Sequence, residues 1–128
     1  MANILEGLRY TREHEWAKID GDIATTGITD YAQSELSDIV MVDPPKVGTQ
    51  IKAGDAVGTI EAVKAVSDLF APLSGEVIEV NEKAIKEPAI INKDPYNEGW
   101  LYKIKINNPA ELNSLLTADQ YKELITGH

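Results

Sequence analysis

The alternation of apolar and polar positions predicts a chain built mostly of short strands. Residues 13–19 and 23–28 are two β-prone runs joined by Asp20-Gly21-Asp22, and Asp-Gly is a strong hairpin-turn signal. A shorter run over 8–11 precedes them, and 38–43 follows as a strand stopped by Pro44-Pro45. Further along, 56–60 is β-prone, and 73–80 and 100–106 alternate as half-buried strands do. Residues 29–36 change period and predict a short helix, with Thr29 as N-cap and Asp30 at its positive end. The segment 81–91 carries Ala84-Ile85 and Ala89-Ile90-Ile91 but is interrupted by Pro88, so it reads as a loop with a turn. Residues 92–99 are dense in turn formers and read as an ordered loop.

The period becomes helical again near the end. Asn108 is placed to cap a helix over 109–116 that has Pro109 at its first position. Thr117 and Gln120 form a capping box opening a second helix over 121–125. Leu112, Leu115, Leu116 and Leu124 would face the sheet. Strands followed by terminal helices give an α+β chain, mainly β. The 128 residues, without linker or low-complexity tract, read as one domain over 1–128, with a core at about 20–106 and C-terminal helices at about 109–126.

Charge and chemistry narrow the function. The net charge of −9 argues against nucleic acid, whose binding depends on Lys and Arg, and against an anionic membrane surface. It suits docking onto basic patches of protein partners. With no Cys, a disulfide framework, a zinc-thiolate site and a Cys nucleophile are excluded, so any redox centre must be imported as a prosthetic group. The two histidines, His14 and His128, form no cluster, so no metal site is expected and His14 reads as structural or surface. No run is long and apolar enough to span a bilayer. The start, residues 1–7, resembles neither a signal peptide nor an Arg-rich transit peptide, which predicts a cytoplasmic, bacterial-type protein. There is no phosphate-binding loop and no nucleophile with an ordered base, so no catalytic residues are assigned.

What stands out is Glu61-Ala62-Val63-Lys64-Ala65-Val66-Ser67-Asp68. Lys64 lies between small apolar residues and between β-prone runs, which puts it at a hairpin tip with its amine in water. Gly48 lies 16 residues before it and Gly75 11 residues after it, both beside turn chemistry and both expected to supply positive φ at strand reversals. This frame resembles the biotinyl/lipoyl attachment proteins, and within them the chain is similar to the glycine cleavage H-protein family. The similarity runs through Tyr10-Thr11, His14-Glu15-Trp16, the run over 27–33, Asp38-Ile39-Val40, Val47-Gly48, the run over 74–77, Val80-Asn81, Asp94-Pro95-Tyr96 and Gly99-Trp100.

The resemblance implies a barrel-sandwich hybrid of two small sheets, with lipoate attached through an amide to Lys64 on an exposed hairpin. It implies a carrier that moves the aminomethyl group of glycine. The partners it implies are the pyridoxal-phosphate glycine decarboxylase, the tetrahydrofolate-dependent aminomethyltransferase, dihydrolipoamide dehydrogenase and a lipoate-attaching enzyme. Val63 and Ala65 keep the tip narrow, and Glu61 and Asp68 give it a negative flank for partners to read. Glu15 and Asp68 are the carboxylates that would shelter the loaded arm in a cleft, unless both are simply solvated acids. Ala62, Ser37 and Asp43-Pro44-Pro45 depart from the usual family residues, and none touches the lysine position. Alternatives are a lipoyl domain of a 2-oxoacid dehydrogenase, which lacks the His14-Glu15-Trp16 block and the terminal helices, and an H-like lipoyl relay. The Met residues usual around a biotinyl lysine are replaced by Val63 and Ala65.

Overall fold

The computed structural model describes residues 3–126. Nine strands and four α-helices are present among them: β1 (Arg9–Tyr10), β2 (Glu15–Asp20), β3 (Ile23–Ile28), α1 (Asp30–Leu36), β4 (Ile39–Asp43), β5 (Gln50–Ile51), β6 (Ala56–Ala62), β7 (Val66–Phe70), β8 (Gly75–Val80), α2 (Glu82–Lys86), α3 (Ala89–Lys93), β9 (Tyr102–Ile106) and α4 (Ala118–Thr126). All strand pairings are antiparallel. Six strands form one sheet in the order β1-β2-β3-β9-β8-β5, and three form a second in the order β4-β6-β7.

The two sheets share one core. Ala24, Val77 and Ile104 of the larger sheet are buried with Val42, Ile60 and Leu69 of the smaller one. That is the barrel-sandwich arrangement. A second cluster joins Tyr10 and Trp16 to Ala118 and Tyr121 of α4, with the Tyr10 and Tyr121 rings stacked at 4.7 Å. It seats the last helix against the end of the large sheet, where Leu116 forms a bridge with Tyr10.

Most predicted elements appear where the pattern put them. The Asp20-Gly21-Asp22 hairpin closes with Asp20 opposite Ile23. Thr29 caps α1 by accepting the Ala32 N–H, and Thr117 and Gln120 exchange capping-box hydrogen bonds ahead of α4. Four expectations need correction. The pattern marked no strand between Lys64 and residue 73, yet β7 returns from the lysine there, and the alternating run after it is β8 of the other sheet. The loop expected over 81–91 contains α2 and α3: Asn81 caps α2 through Lys83 N–H, and Pro88 precedes α3, where its missing N–H costs nothing. The helix expected over 109–116 is a 3-10 helix, Pro109–Ser114, with no side-chain cap from Asn108, and Leu115 behind it is extended. The terminal region is thus two pieces, as expected, but only the second is an α-helix.

The fourth correction concerns Gly75. Gly48 has φ +92°, as expected of a turn glycine. Gly75 is not at positive φ; it is the first residue of β8, opposite Ile106 of β9 and Ile51 of β5. A Cβ there would run into the Lys105 carbonyl oxygen and come within 2.7 Å of Ile104 Cγ2. Close approach of backbone, not turn geometry, demands this glycine. The two glycines thus secure the β5–β8 pairing, where Gly48 N–H donates to Val77 C=O and Val77 N–H to Thr49 C=O.

The two positions therefore respond differently to the same substitution. Gly48→Asn, which tolerates positive φ, is expected to cost less than about 1 kcal/mol, whereas Gly75→Asn costs at least about 2 kcal/mol through overpacking. Urea denaturation midpoints check this, and equal losses would contradict it.

Candidate functional site

The lysine turn is as small as a hairpin connection can be. Ala62 N–H donates to Ala65 C=O at 2.7 Å, leaving Val63 and Lys64 as the two central residues. Neither lies at positive φ. The pairing of β6 and β7 runs up to Glu61 opposite Val66. Val63 is 68% exposed, and Lys64 and Ala65 are exposed beside it. Among the described residues Lys64 is in no ion pair. One contact ties the tip to the body of the molecule: Val63 N–H donates to Asp38 C=O at 3.0 Å, just ahead of β4.

The small sheet presents two rows on its outer face. Met41, Glu61 and Val66 are in register across β4, β6 and β7, and so are Asp43, Thr59 and Asp68. All six are exposed. Apolar patches at Met41, Val63 and Val66 alternate with carboxylates at Asp43, Glu61 and Asp68. This face suits a partner surface that combines basic side chains with apolar contacts.

Glu15 is not a solvated acid. It is 4% exposed, at the start of β2. A tight turn puts it there: His14 adopts φ +67°, its N–H donates to Thr11 C=O, and the Thr11 hydroxyl accepts the N–H groups of Glu13 and Glu15. His14 is half-buried, with Nδ1 2.9 Å from the Tyr121 hydroxyl, and is structural. Glu15 Oε2 accepts the Phe70 N–H at 2.6 Å, on the edge of β7 that β6 leaves unpaired. An open groove of about 250 Å³ adjoins this contact, lined by Thr11, Arg12, Glu15, Phe70, Pro72 and Leu115 among others. Asp68 sits two residues from Phe70 on β7 but on the exposed outer face, so the two candidate carboxylates are not brought into one cleft wall.

Burial pushes the Glu15 carboxyl up to about 8, against the Phe70 N–H and the Thr11 hydroxyl, which favour the carboxylate. Glu15 is therefore mostly protonated at neutral pH, with Arg12 lining the same groove. Sequence reasoning picked the residue but missed what surrounds it. Residues Glu15, Trp16 and Ala17 are all buried, because β2 is covered on both faces and alternation there carries no signal. No group of three or more His, Asp or Glu residues is placed to hold a metal ion among the described residues, and no helix there is long and apolar enough to cross a membrane.

Comparison with known proteins follows the geometry closely. A family model for the glycine cleavage H-protein matches residues 8–128. The chain belongs to the glycine cleavage H-protein family. It is 51% identical to the glycine cleavage system H protein of Carboxydothermus hydrogenoformans, covering 98% of this chain and 96% of that protein. It is 55% identical to the one from Chlorobaculum parvum, covering 96% and 98%. The crystal structure of a glycine cleavage system H protein from Mycobacterium marinum superimposes with a TM-score of 0.88 at 40% identity, covering 98% of this chain and all of that one. With membership goes the role of a lipoyl carrier component of the glycine cleavage system. The 2-oxoacid dehydrogenase and relay alternatives are not favoured.

The buried carboxyl gives a pH signature. The unfolded chain releases the Glu15 proton near 4.5 and the folded chain holds it to about 8. Stability should therefore fall as pH rises through that window, because the unfolded state binds fewer protons there. Glu15→Gln, which mimics the protonated form, is expected to remove that part of the slope in denaturation series from pH about 5 to about 8. A carboxyl carbon that titrates in its ordinary range by NMR would refute the assignment.

Proposed function

We propose that Lys64 is the lipoyl-attachment residue through which this carrier serves the glycine cleavage system. The observation that carries the proposal is the Lys64 amine itself, exposed on a two-residue turn and engaged by no ion pair among the described residues. An amine so placed enters the active site of an acylating enzyme without breaking any contact of the fold. Lipoate joined there by an amide supplies the sulfur chemistry that a chain without Cys lacks. Residues 20–106 carry this attachment unit, and the segment 109–126 closes its end.

The chain acts as a carrier and not as a catalyst. It conveys the aminomethyl group of glycine from glycine decarboxylase to the tetrahydrofolate-dependent aminomethyltransferase, with dihydrolipoamide dehydrogenase restoring the arm, in the cytoplasm. Tethering keeps the cargo at high local concentration beside each partner. Glu61, Val63, Ala65 and Asp68 form the face those partners and the lipoate-attaching enzyme read. Glu15 is the shelter residue: a neutral acid that can give up its proton and accept a hydrogen bond from the cationic amine of the cargo in the adjoining groove.

Two experiments test this. Intact mass after incubation with lipoate and a lipoate ligase should show one lipoyl increment on the wild type and none on Lys64→Arg; an increment that survives the substitution places the site elsewhere. On the loaded carrier, Glu15→Gln should hasten loss of the cargo to water by about tenfold, the worth of one charge-assisted hydrogen bond, while Asp68→Asn leaves that rate alone and raises KM for the partner enzymes. Unchanged hydrolysis in Glu15→Gln would end the sheltering role.

A further inference from the structure

The Lys64 turn is held from below by a side chain in a distant part of the sequence. Asn92, in α3, uses both ends of its amide on the backbone ahead of β4. Its Oδ1 accepts the Ile39 N–H at 3.0 Å, and its Nδ2 donates to Ser37 C=O at 2.7 Å. Nδ2 also donates to Gln33 Oε1 at 2.9 Å, and Gln33 in turn holds Asp30. The residue bracketed between Ser37 and Ile39 is Asp38, whose carbonyl receives the Val63 N–H of the lysine turn.

This bracket has something to restrain. Ser37 adopts φ +65° and ψ −144°, a backbone conformation that strains a residue with a Cβ and that glycine takes freely. Left to itself the α1–β4 junction gains by relaxing Ser37, and the Asp38 carbonyl turns with it. A side-chain amide fits the two opposed backbone groups, one donor and one acceptor, where a carboxylate would set a second acceptor against Ser37 C=O. Among the described residues the side-chain hydrogen bonds of Asn92 go to α1, to Ser37 behind it and to the start of β4, and none goes to the turn itself. Its effect on Lys64 is therefore transmitted through Asp38.

We propose that Asn92 is a positioning residue for the Lys64 turn: by bracketing Asp38 it aims the carbonyl that receives the Val63 N–H, and so presents Lys64 to the enzyme that acylates it. This rests on Lys64 being the attachment residue. The inner end of the hairpin is fixed by β6–β7 pairing whatever Asn92 does. What the bracket sets is the direction in which the two-residue tip leans, which matters only to an enzyme that must engage the tip.

The test uses the full chain in three forms: wild type, Asn92→Asp and Asn92→Asp with Ser37→Gly. Two readouts are taken, amide exchange by NMR and steady-state lipoylation by a lipoate ligase. Asn92→Asp should speed exchange at Val63 by about 3–10-fold, the worth of one hydrogen bond, while Val77 and Ile104 in the core keep their protection. KM for the carrier should rise by a similar factor with kcat little changed. Ser37→Gly, which removes the cost of positive φ, should restore both. Uniform loss of protection across the core, or an unchanged Val63 with unchanged KM, would overturn the proposal and leave Asn92 a stabilising residue only. Should the wild type take no lipoyl group, the attachment reading fails, and Val63 exchange still decides whether the bracket holds the turn.

Discussion

The inward packing of Ile60 and Leu69 is the constraint on which the site depends. These two side chains drive the small sheet against the large one, and both are at most 2% exposed. Because side chains alternate along a strand, burying them forces Glu61, Thr59 and Asp68 outward. The exposed rows are thus the other side of the core, not a separate design. The same alternation ends β6 with Ala62 buried and the Val63 side chain exposed, so the lysine follows two residues after the last anchor. A slip of one residue in β6 would bury Glu61 and turn the whole face inside out.

A second constraint is the cost of charge in that interface. Glu15 meets an unpaired backbone N–H of β7 at the junction of the two sheets, and burial keeps its proton on near neutrality. A permanently ionised group there would be costly without a cationic partner. A neutral acid that ionises only when a cation arrives is tolerated by the resting fold and becomes a strong acceptor when needed. Under the proposed sheltering role, arm docking would be tied to proton release, which links the shelter to the chemistry of the cargo and not just to its shape.

How much of this was readable in the chain varies with the range of the interaction. Local signals did well: the Asp20-Gly21-Asp22 hairpin, the Thr29 cap and the Thr117–Gln120 capping box all depend on neighbours within a few residues. The lysine tip was legible because small apolar residues flank it. Long-range features were not. Gly75 looked like a turn glycine, since nothing near it in sequence reveals the Lys105 backbone it must clear. Glu15 could be read either as a cleft carboxylate or as a solvated acid, since a strand covered on both faces loses its alternation. The helices α2 and α3 were hidden by Pro88, which reads as a breaker inside a segment and serves instead at a helix start. Asn92 sat among turn formers, and its three hydrogen bonds span more than fifty residues of chain.

The contrast between the two ends of the molecule follows from what a carrier must do. At the far end, Tyr10, Trp16 and Tyr121 pack around a satisfied polar cluster: the Tyr121 hydroxyl meets both Thr29 and His14, and Trp16 Nε1 donates to Pro95 C=O. That end is over-determined, because each buried polar group has its partner and each ring a neighbour. At the lysine end, past the β4–β6 pairing of Ile39 with Ala62, the tip is cross-linked among the described residues by the hydrogen bond from Val63 to Asp38. On the proposed attachment, several enzymes in turn must accept the same tip, so it cannot be built into a shape that suits one of them alone. A single backbone hydrogen bond is strong enough to bias its direction and weak enough, at about 1 kcal/mol, for each partner to overrule. Rigidity belongs in the sandwich, and with the proposed attachment at Lys64 the latitude left there and at Val63 would let one carrier serve several active sites.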